Sequence, residues 1–462
     1  MGQGGAAEAK GVADVPRYDG PFGRAQAERL MWRAAFGGTG AQADALAGKG
    51  LQKAVRSLTR PRLTGLVGPQ PTDGDDPIAP NDAWGHDALY WFDRMARTRA
   101  PAVERMALIW HDWFATGDVS SQKLSIKQSN LFRKHALGSF EELLLGVTHD
   151  PAMLIWLSGI DNDKDWPNEN YGRELMELFT LGASQVDPDH PNGYPYTEDD
   201  VREQARALTG WKATWKDSVG FTDFRYEESR HDKGQKTIFG QTGTFDWKDS
   251  CRLCLGNPAH APYFVNRLWA HFVAGDPDAA TLDAMIDLYV GSDYAIRPVV
   301  EAILMHPQLY TGASLVKPPV VMIAGMLRRR GRGIDTDAWA WISEMAGQRP
   351  FRPPDVSGWD ETRWLDTSAF RGRWYATAEM INPDRPDEDT YNRDETPAQA
   401  LDAALGYWGN PTLSDATREA LMDFGAVVEN LIVANWQKRS FRALRQNALR
   451  ALIATSPDQQ AS

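Results

Sequence analysis

Asn168-Glu-Asn-Tyr-Gly-Arg-Glu-Leu-Met-Glu-Leu-Phe-Thr-Leu-Gly182 sets three carboxylates, an arginine, two amides and a tyrosine at the head of a short amphipathic helix. Leu175, Leu178 and Leu181 supply its apolar set at helical spacing. Asn170, Glu174 and Glu177 fall at i, i+4 and i+7 and share a face, while Glu169 and Arg173, also i and i+4, can pair. A polar face this dense beside an apolar face this regular suggests an interior site more than a wet surface. Asp165 or Asn168 is the expected N-cap.

The same period runs outward in both directions. It predicts helices over 24–58 (two, the second from about 40), 83–98, 101–116, 123–136 and 139–147, with Pro101 as a first-turn proline. Thr197-Glu-Asp-Asp200 resembles a capping box opening a helix that ends at Gly210. Residues 212–247 break the rhythm: Phe221-Thr-Asp-Phe-Arg-Tyr226 and Lys236-Thr-Ile-Phe239 alternate between glycines and predict a small β-hairpin or ordered loop. Helices resume to about residue 346 and again at 373–381, 397–406, 413–435 and 437–455. The fold expected is mainly α, a multi-helix globular bundle with a β-hairpin insert around 212–247. Its expected divisions are a flexible stretch 1–23, a main domain 24–381, an acidic linker or lid 382–396 and C-terminal helices 397–462 packed on the main domain.

At 462 residues, 42 % hydrophobic and 24 % charged, the chain reads as globular. A net charge of −12 argues against a general nucleic-acid binder. No apolar run reaches the length of a membrane span, and residues 1–10 lack a basic-then-apolar leader, so the chain as written is expected to be cytoplasmic. Eighteen tryptophans fit both a large core and an aromatic-walled cleft. The pair Cys251 and Cys254 has metal or redox spacing but no second pair, and reads as two packed thiols.

Several segments together resemble one uncharacterised bacterial family, the DUF1800 proteins. They are Arg29-Leu-Met-Trp-Arg-Ala-Ala-Phe-Gly37, Met106-Ala-Leu-Ile-Trp-His-Asp-Trp-Phe-Ala-Thr116, the 168–182 stretch, Tyr196 to Trp211, His231-Asp-Lys-Gly-Gln-Lys-Thr-Ile-Phe-Gly240 and Phe351-Arg-Pro-Pro-Asp-Val-Ser-Gly-Trp359. The likeness spans roughly 25 to 375. It implies no assigned activity. For some members it implies partnership with a sulfatase-like exported family and an envelope role.

The chemistry expected is carboxylate and imidazole acid–base work. Glu174 and Glu177 are the acid/base candidates, with Arg173 positioning a carboxylate, Glu169 beside it, and His231 as second proton carrier. His231-Asp232 and Lys236 sit in the non-helical insert, where function concentrates. The surrounding binding set is Asn168, Asn170 and Tyr171 on the helix, Trp211, Asp232 and Lys236 in the insert, Arg352 and Trp359 on the proline-rich loop, and His111. The bland readings stand beside these: a buried charge network on the helix, Asp232 capping a turn, His111 as a hydrogen-bonded core residue, and the 351–360 loop as a clamp across helix ends. Asp161-Asn-Asp-Lys-Asp165 resembles a calcium loop, but Trp166 and Gly172 stand where its glycine and twelfth-position glutamate belong. No Walker loop, dinucleotide fingerprint, G-x-S-x-G elbow or H-E-x-x-H occurs, and no cofactor is nameable.

The leading expectation is therefore a helical enzyme, hydrolase or transferase, acting on a saccharide-like or polyol substrate. The alternatives are a non-catalytic binding or assembly protein braced by a buried polar network, a metal-dependent enzyme with His111, Glu174, Glu177 and His231 as ligands, and cationic cyclisation in an aromatic cavity.

Overall fold

The helix Pro101–Trp113 organises the molecule. Pro101 occupies its first turn, where a missing N–H costs nothing, and none of its thirteen residues is exposed. Such a helix must be wrapped. The helices Arg24–Ala34, Leu51–Thr59, His86–Arg97 and Gln122–His135 pack against it. Its indoles extend the core: Trp110 and Trp113 meet Phe140 and Phe264, and Phe264 stacks on Tyr289 at 4.0 Å. Buried indole N–H groups need acceptors. Trp110 Nε1 donates to the Ala136 carbonyl and Trp113 Nε1 to that of Phe179, both at 3.0 Å. The tryptophan load is thus divided: Trp91, Trp110, Trp113, Trp269, Trp339 and Trp408 are fully buried in the core, while Trp84, Trp166, Trp215, Trp341, Trp374 and Trp436 are exposed.

The structure is a computed structural model that describes residues 15–117, 119, 121–182 and 195–462. It is mainly α-helical, with antiparallel two-stranded sheets only, among the described residues. The larger hairpin, Trp211–Lys216 with Gly220–Tyr226, carries a bulge between Lys212 and Thr214, and a second pairs Lys236–Ile238 with Gln241–Gly243. Both lie in the predicted insert. The first predicted helical stretch is cut into Arg24–Ala34, Gly40–Ala47 and Leu51–Thr59, with Gly50 at positive φ before the third. The helix predicted from 373 begins earlier, at Thr367, capped by Asp366. No helix of the described residues is long and apolar enough to cross a membrane.

The terminal segments are tied to the body. The Tyr18 amide donates to the Met305 carbonyl at 2.8 Å; residues 1–14 of the expected N-terminal stretch lie outside the described residues. The acidic segment 382–396 is held by arginines: Arg330 pairs with Asp384, Arg450 reaches the Asp384 carbonyl, and the fully buried Arg445 holds Glu395. Arg373, also fully buried, donates to the carbonyls of Trp364 and Lys317 and to Gln460. It thereby joins the Thr367–Ile381 helix to the C-terminal end.

That helix also crosses Ala338–Met345 closely enough that a Cβ on Gly372 would stand 2.3 Å from the Ala346 nitrogen. Backbone cannot yield as a flexible side chain does. Gly372→Ala should lower stability by about 1–3 kcal/mol, the usual cost of overpacking, read as a lower denaturant midpoint; an unchanged midpoint would contradict this packing.

Candidate functional site

The stretch that opens the sequence reading starts as expected. Asn168 accepts the Asn170 amide at 2.9 Å as N-cap, and an α-helix runs over Glu169–Glu174. Gly172 lets it approach the helix Glu198–Ala207, since a Cβ there would stand 3.1 Å from the Ala205 nitrogen. From Leu175 to Thr180 the turn widens to a π-helix, a local irregularity frequent at functional sites. The single helix predicted over 168–181 is corrected in this respect. The widening is held by the Leu181 amide reaching back to Met176 at 2.7 Å and by Thr180 Oγ1 donating to Leu175 at 2.6 Å.

Two charge arrangements follow on this segment. Arg173 forms a two-pronged pair with Glu198 at 2.7 and 2.9 Å, with Glu169 as second partner at 3.4 Å. Both are committed to a half-exposed crosslink. Tyr171 points into the core against Phe179. Glu174 and Glu177 are half-buried, and neither has a hydrogen bond or ion pair among the described residues. Burial first, and the Glu177 charge second, raise the Glu174 pKa. Tyr196 is pushed up for the same two reasons in the same order.

Glu177 opens into a cleft of about 1280 Å³ with Tyr196, Thr197, Asp200, Asn257, Tyr263 and Asn266. Gly182 and Pro195, which bracket residues outside the described set, stand on its rim. No Lys or Arg is among its described lining residues.

The other half of the expected site lies apart. His231 is buried, with Nδ1 at 3.2 Å from Thr209 Oγ1 and 3.1 Å from the Thr209 carbonyl, and burial lowers its pKa. Asp232 pairs with Arg206 at 2.7 Å, and the buried Lys236 donates to backbone carbonyls at Asp232 and Gly234. Trp211 packs on Tyr226 and Trp247. None of these four lines the cleft. The shared, tryptophan-walled hollow foreseen from the sequence is thus replaced by a cleft whose rings are tyrosines and Phe239. The Asp-rich loop is an anchor for the insert, since Asp163 pairs with Lys212 at 3.2 Å and Arg230 at 3.4 Å. Among the described residues no three of His, Cys, Asp and Glu gather as metal ligands, so the set His111, Glu174, Glu177 and His231 is not assembled. Cys251 and Cys254 are buried free thiols, with burial raising Cys251 to about 12.

The proline-rich loop meets the central helix instead. The Phe351 amide donates to His111 Nε2 at 3.0 Å, and the Trp359 amide to Asp112 Oδ1 at 2.9 Å. Gly358, at φ +95°, brings backbone so near Asp112 that a Cβ would stand 2.5 Å from Oδ1. Two adjacent residues thus hold both ends of the loop, a clamp geometry. Trp359 packs edge-on to His111 at 5.2 Å, and Arg352 donates to the Phe351 carbonyl.

Behind Asp112 lies a second hollow of about 260 Å³, which the sequence reading missed. Arg105, Leu108, Ile109 and Asp112, at i, i+3, i+4 and i+7, form one wall, and His271 and Lys317 face it. Burial lifts Asp112 to about 6 against the opposing Trp359 amide, and holds His271 down to about 3. The available signal was Arg105 and Asp112 at i and i+7, two charges on one face of a mostly apolar helix. Arg267, in the lining of neither hollow, donates to Tyr263 Oη at 2.9 Å and to the carbonyls of Leu178 and Trp113, with its guanidinium 4.4 Å from the Trp113 ring centroid.

The family described as "Protein of unknown function (DUF1800)" matches residues 29–461. The chain belongs to that family, whose extent takes in the C-terminal helices as well. Neither the curated proteins nor the solved structures contain a match.

Burial holds His111 at about 3, so it is neutral in the fold, with Nε2 as acceptor. An unfolded histidine takes up a proton near pH 6.5. Between about 6.5 and 3 the unfolded state therefore binds more protons, and the stability tied to His111 is lost as pH falls through that window. His111→Phe removes both the acceptor and the titration. Its stability deficit at pH 7, on the order of 1–3 kcal/mol, should narrow at about pH 5. Denaturant titrations at the two pH values check this; a constant deficit counts against a neutral His111.

Proposed function

We propose that this DUF1800 chain is an enzyme applying carboxylate acid–base chemistry to a neutral, hydroxyl-rich molecule of saccharide-like character held in the cleft beside Glu174 and Glu177. The carrying observation is the glutamate pair itself: half-buried, on successive turns, and without an ion pair among the described residues, Arg173 acting on it only from a distance. Like charges in a desolvated place drive proton affinities apart, the condition for one carboxyl to donate while the other accepts. Glu174, raised by burial and by its neighbour, is the proton donor; Glu177, at the cleft surface, is the base or nucleophile.

The lining supports this class of ligand. Acidic groups at Glu177, Asp200 and Asp276, with no lysine or arginine among the described lining residues, disfavour anions. Asn266 supplies an amide with no partner among the described residues, whereas Thr197 and Asn257 are engaged with Asp200, Pro195 and Ala259; Tyr196, Tyr263 and Phe239 supply ring faces and edges for sugar C–H groups. The cleft exceeds a typical pocket for a small ligand, about 300–1,000 Å³, and suits more than one sugar-sized unit. A hydrolytic reaction is the simplest use of such a pair, with water as the second reactant.

Glu177→Gln should reduce turnover on a panel of neutral glycans by about 100-fold or more and leave the melting temperature nearly unchanged, because Glu177 has no partner to lose. The same variant should lower the Glu174 pKa, followed by carbon-detected NMR of the side-chain carboxyl. Unchanged turnover rejects the catalytic role, and an unmoved Glu174 titration rejects the coupling. A non-catalytic assembly protein is the competing reading, favoured by the exposed Val427, Leu431, Val433 and Trp436 near the C-terminal helices.

A further inference from the structure

We infer that the hollow behind Asp112 is a second binding site, for a small organic carboxylate that also carries an amino or hydroxyl group. The inference rests on Arg105 and does not depend on the reading of the cleft. Arg105 is 6 % exposed. Its Nε makes one long contact, 3.5 Å, to the Arg33 carbonyl, and its two terminal nitrogens have no partner among the described residues. They are also absent from the sealed, unpartnered buried atoms, so they keep surface in the hollow they line. Asp112 and Glu361 act on this guanidinium electrostatically, but neither hydrogen-bonds it among the described residues, and a buried guanidinium with open donors is costly. Its planar fork matches a carboxylate in two parallel hydrogen bonds.

The other cations at this place are committed. Arg33 donates to the Phe272 carbonyl and to the main-chain oxygen of Ser462, which also lines the hollow, and Lys317 Nζ donates to the carbonyls of Asp458 and Gln459, with the Trp32 ring at 4.2 Å. A single free fork facing an ionisable aspartate suits a monoanion and opposes a phosphate dianion.

Asp112 fixes the second part of the ligand. Oδ1 is taken by the Trp359 amide, and Oδ2 has no partner among the described residues. Two turns from Arg105 on the same face, it is an acceptor for an ammonium or hydroxyl group. Neutral His271, also without a hydrogen bond among the described residues, adds a second polar contact. Between them the wall is apolar, with Trp32, Leu108, Ile109, Leu315, Val316 and Trp364. The volume, about 260 Å³, equals roughly eight or nine waters at about 30 Å³ each. That admits a short aliphatic acid and excludes a nucleotide. Glu361 and Thr362, both exposed, form the mouth.

Calorimetric titration of the full chain with butyrate, 2-hydroxybutyrate and 2-aminobutyrate tests this. The two substituted acids should bind more tightly than butyrate. Arg105→Gln should weaken all three by about tenfold or more. Arg105→Lys, which keeps the charge and loses the fork, should weaken them too while guarding against misfolding as the cause. Asp112→Asn should erase the advantage of 2-aminobutyrate over butyrate. Glu177→Gln should bind all three as the parent does. Absence of binding at about 10 mM, indifference to both Arg105 variants, or loss of binding in Glu177→Gln would overturn the proposal, the last by moving the ligand to the cleft.

Discussion

A helix with no exposed residue carries Glu104, Arg105, His111 and Asp112, and the rest of the structure follows from satisfying them away from water. Burying an ionisable group without a partner is among the most costly choices available to a fold. Each of the four is answered differently. Glu104 receives Arg133 at 2.7 Å, Arg94 at 3.2 Å and the Trp91 indole at 3.2 Å, which binds three elements around one carboxylate. His111 stays neutral and accepts a backbone amide, and Asp112 accepts another, so both fasten a loop some 240 residues later in the chain. Arg105 alone is left with free donors.

Arg267 lies on the helix that contributes to both hollows. It sits one helical turn from Tyr263 and one from His271, with Tyr263 facing the cleft and His271 the smaller cavity. Its terminal nitrogens bond backbone carbonyls and a phenol, and its charge acts on Tyr263 of the cleft and on Asp112 and His271 of the cavity. The cleft is an acidic opening, and the cavity is a chamber with a guanidinium whose donors are open. One of its acceptors is Leu178, inside the π-helical turn, so Arg267 and the irregular backbone that presents Glu177 brace each other.

Local rules made much of this legible. Apolar period three to four, first-turn prolines, the Thr197 capping box and the alternation over 221–226 each correspond to an element of the fold. The π-turn was not legible, because Leu175, Leu178 and Leu181 suit an ordinary helix equally well, and what widens it is packing against distant segments. The cavity was not legible for a related reason. Arg105 and Asp112 are close in sequence, but His271 and Lys317 join them only through tertiary packing, and spacing carries no trace of that. His231 shows the converse error. An imidazole beside an aspartate and a lysine reads as chemistry, yet Thr209, Arg206 and nearby carbonyls occupy all three groups.

Arginine usage sharpens the contrast between bracing and site. Arg328 caps the helix His86–Arg97 by reaching the carbonyls of Met95, Ala96 and Thr98, Arg445 holds Glu395 and Glu429, and Arg373 crosslinks three segments. Buried charge here is ordinarily used up in holding backbone together. Against that habit, Glu174, Glu177 and Arg105 stand out as wholly or partly desolvated ionisable groups with no ion pair among the described residues, and Glu177 and Arg105 border open space. Local rules broken without internal compensation are where an external partner is the physical explanation, because a ligand that neutralises such a group recovers interaction energy the isolated fold has left unused.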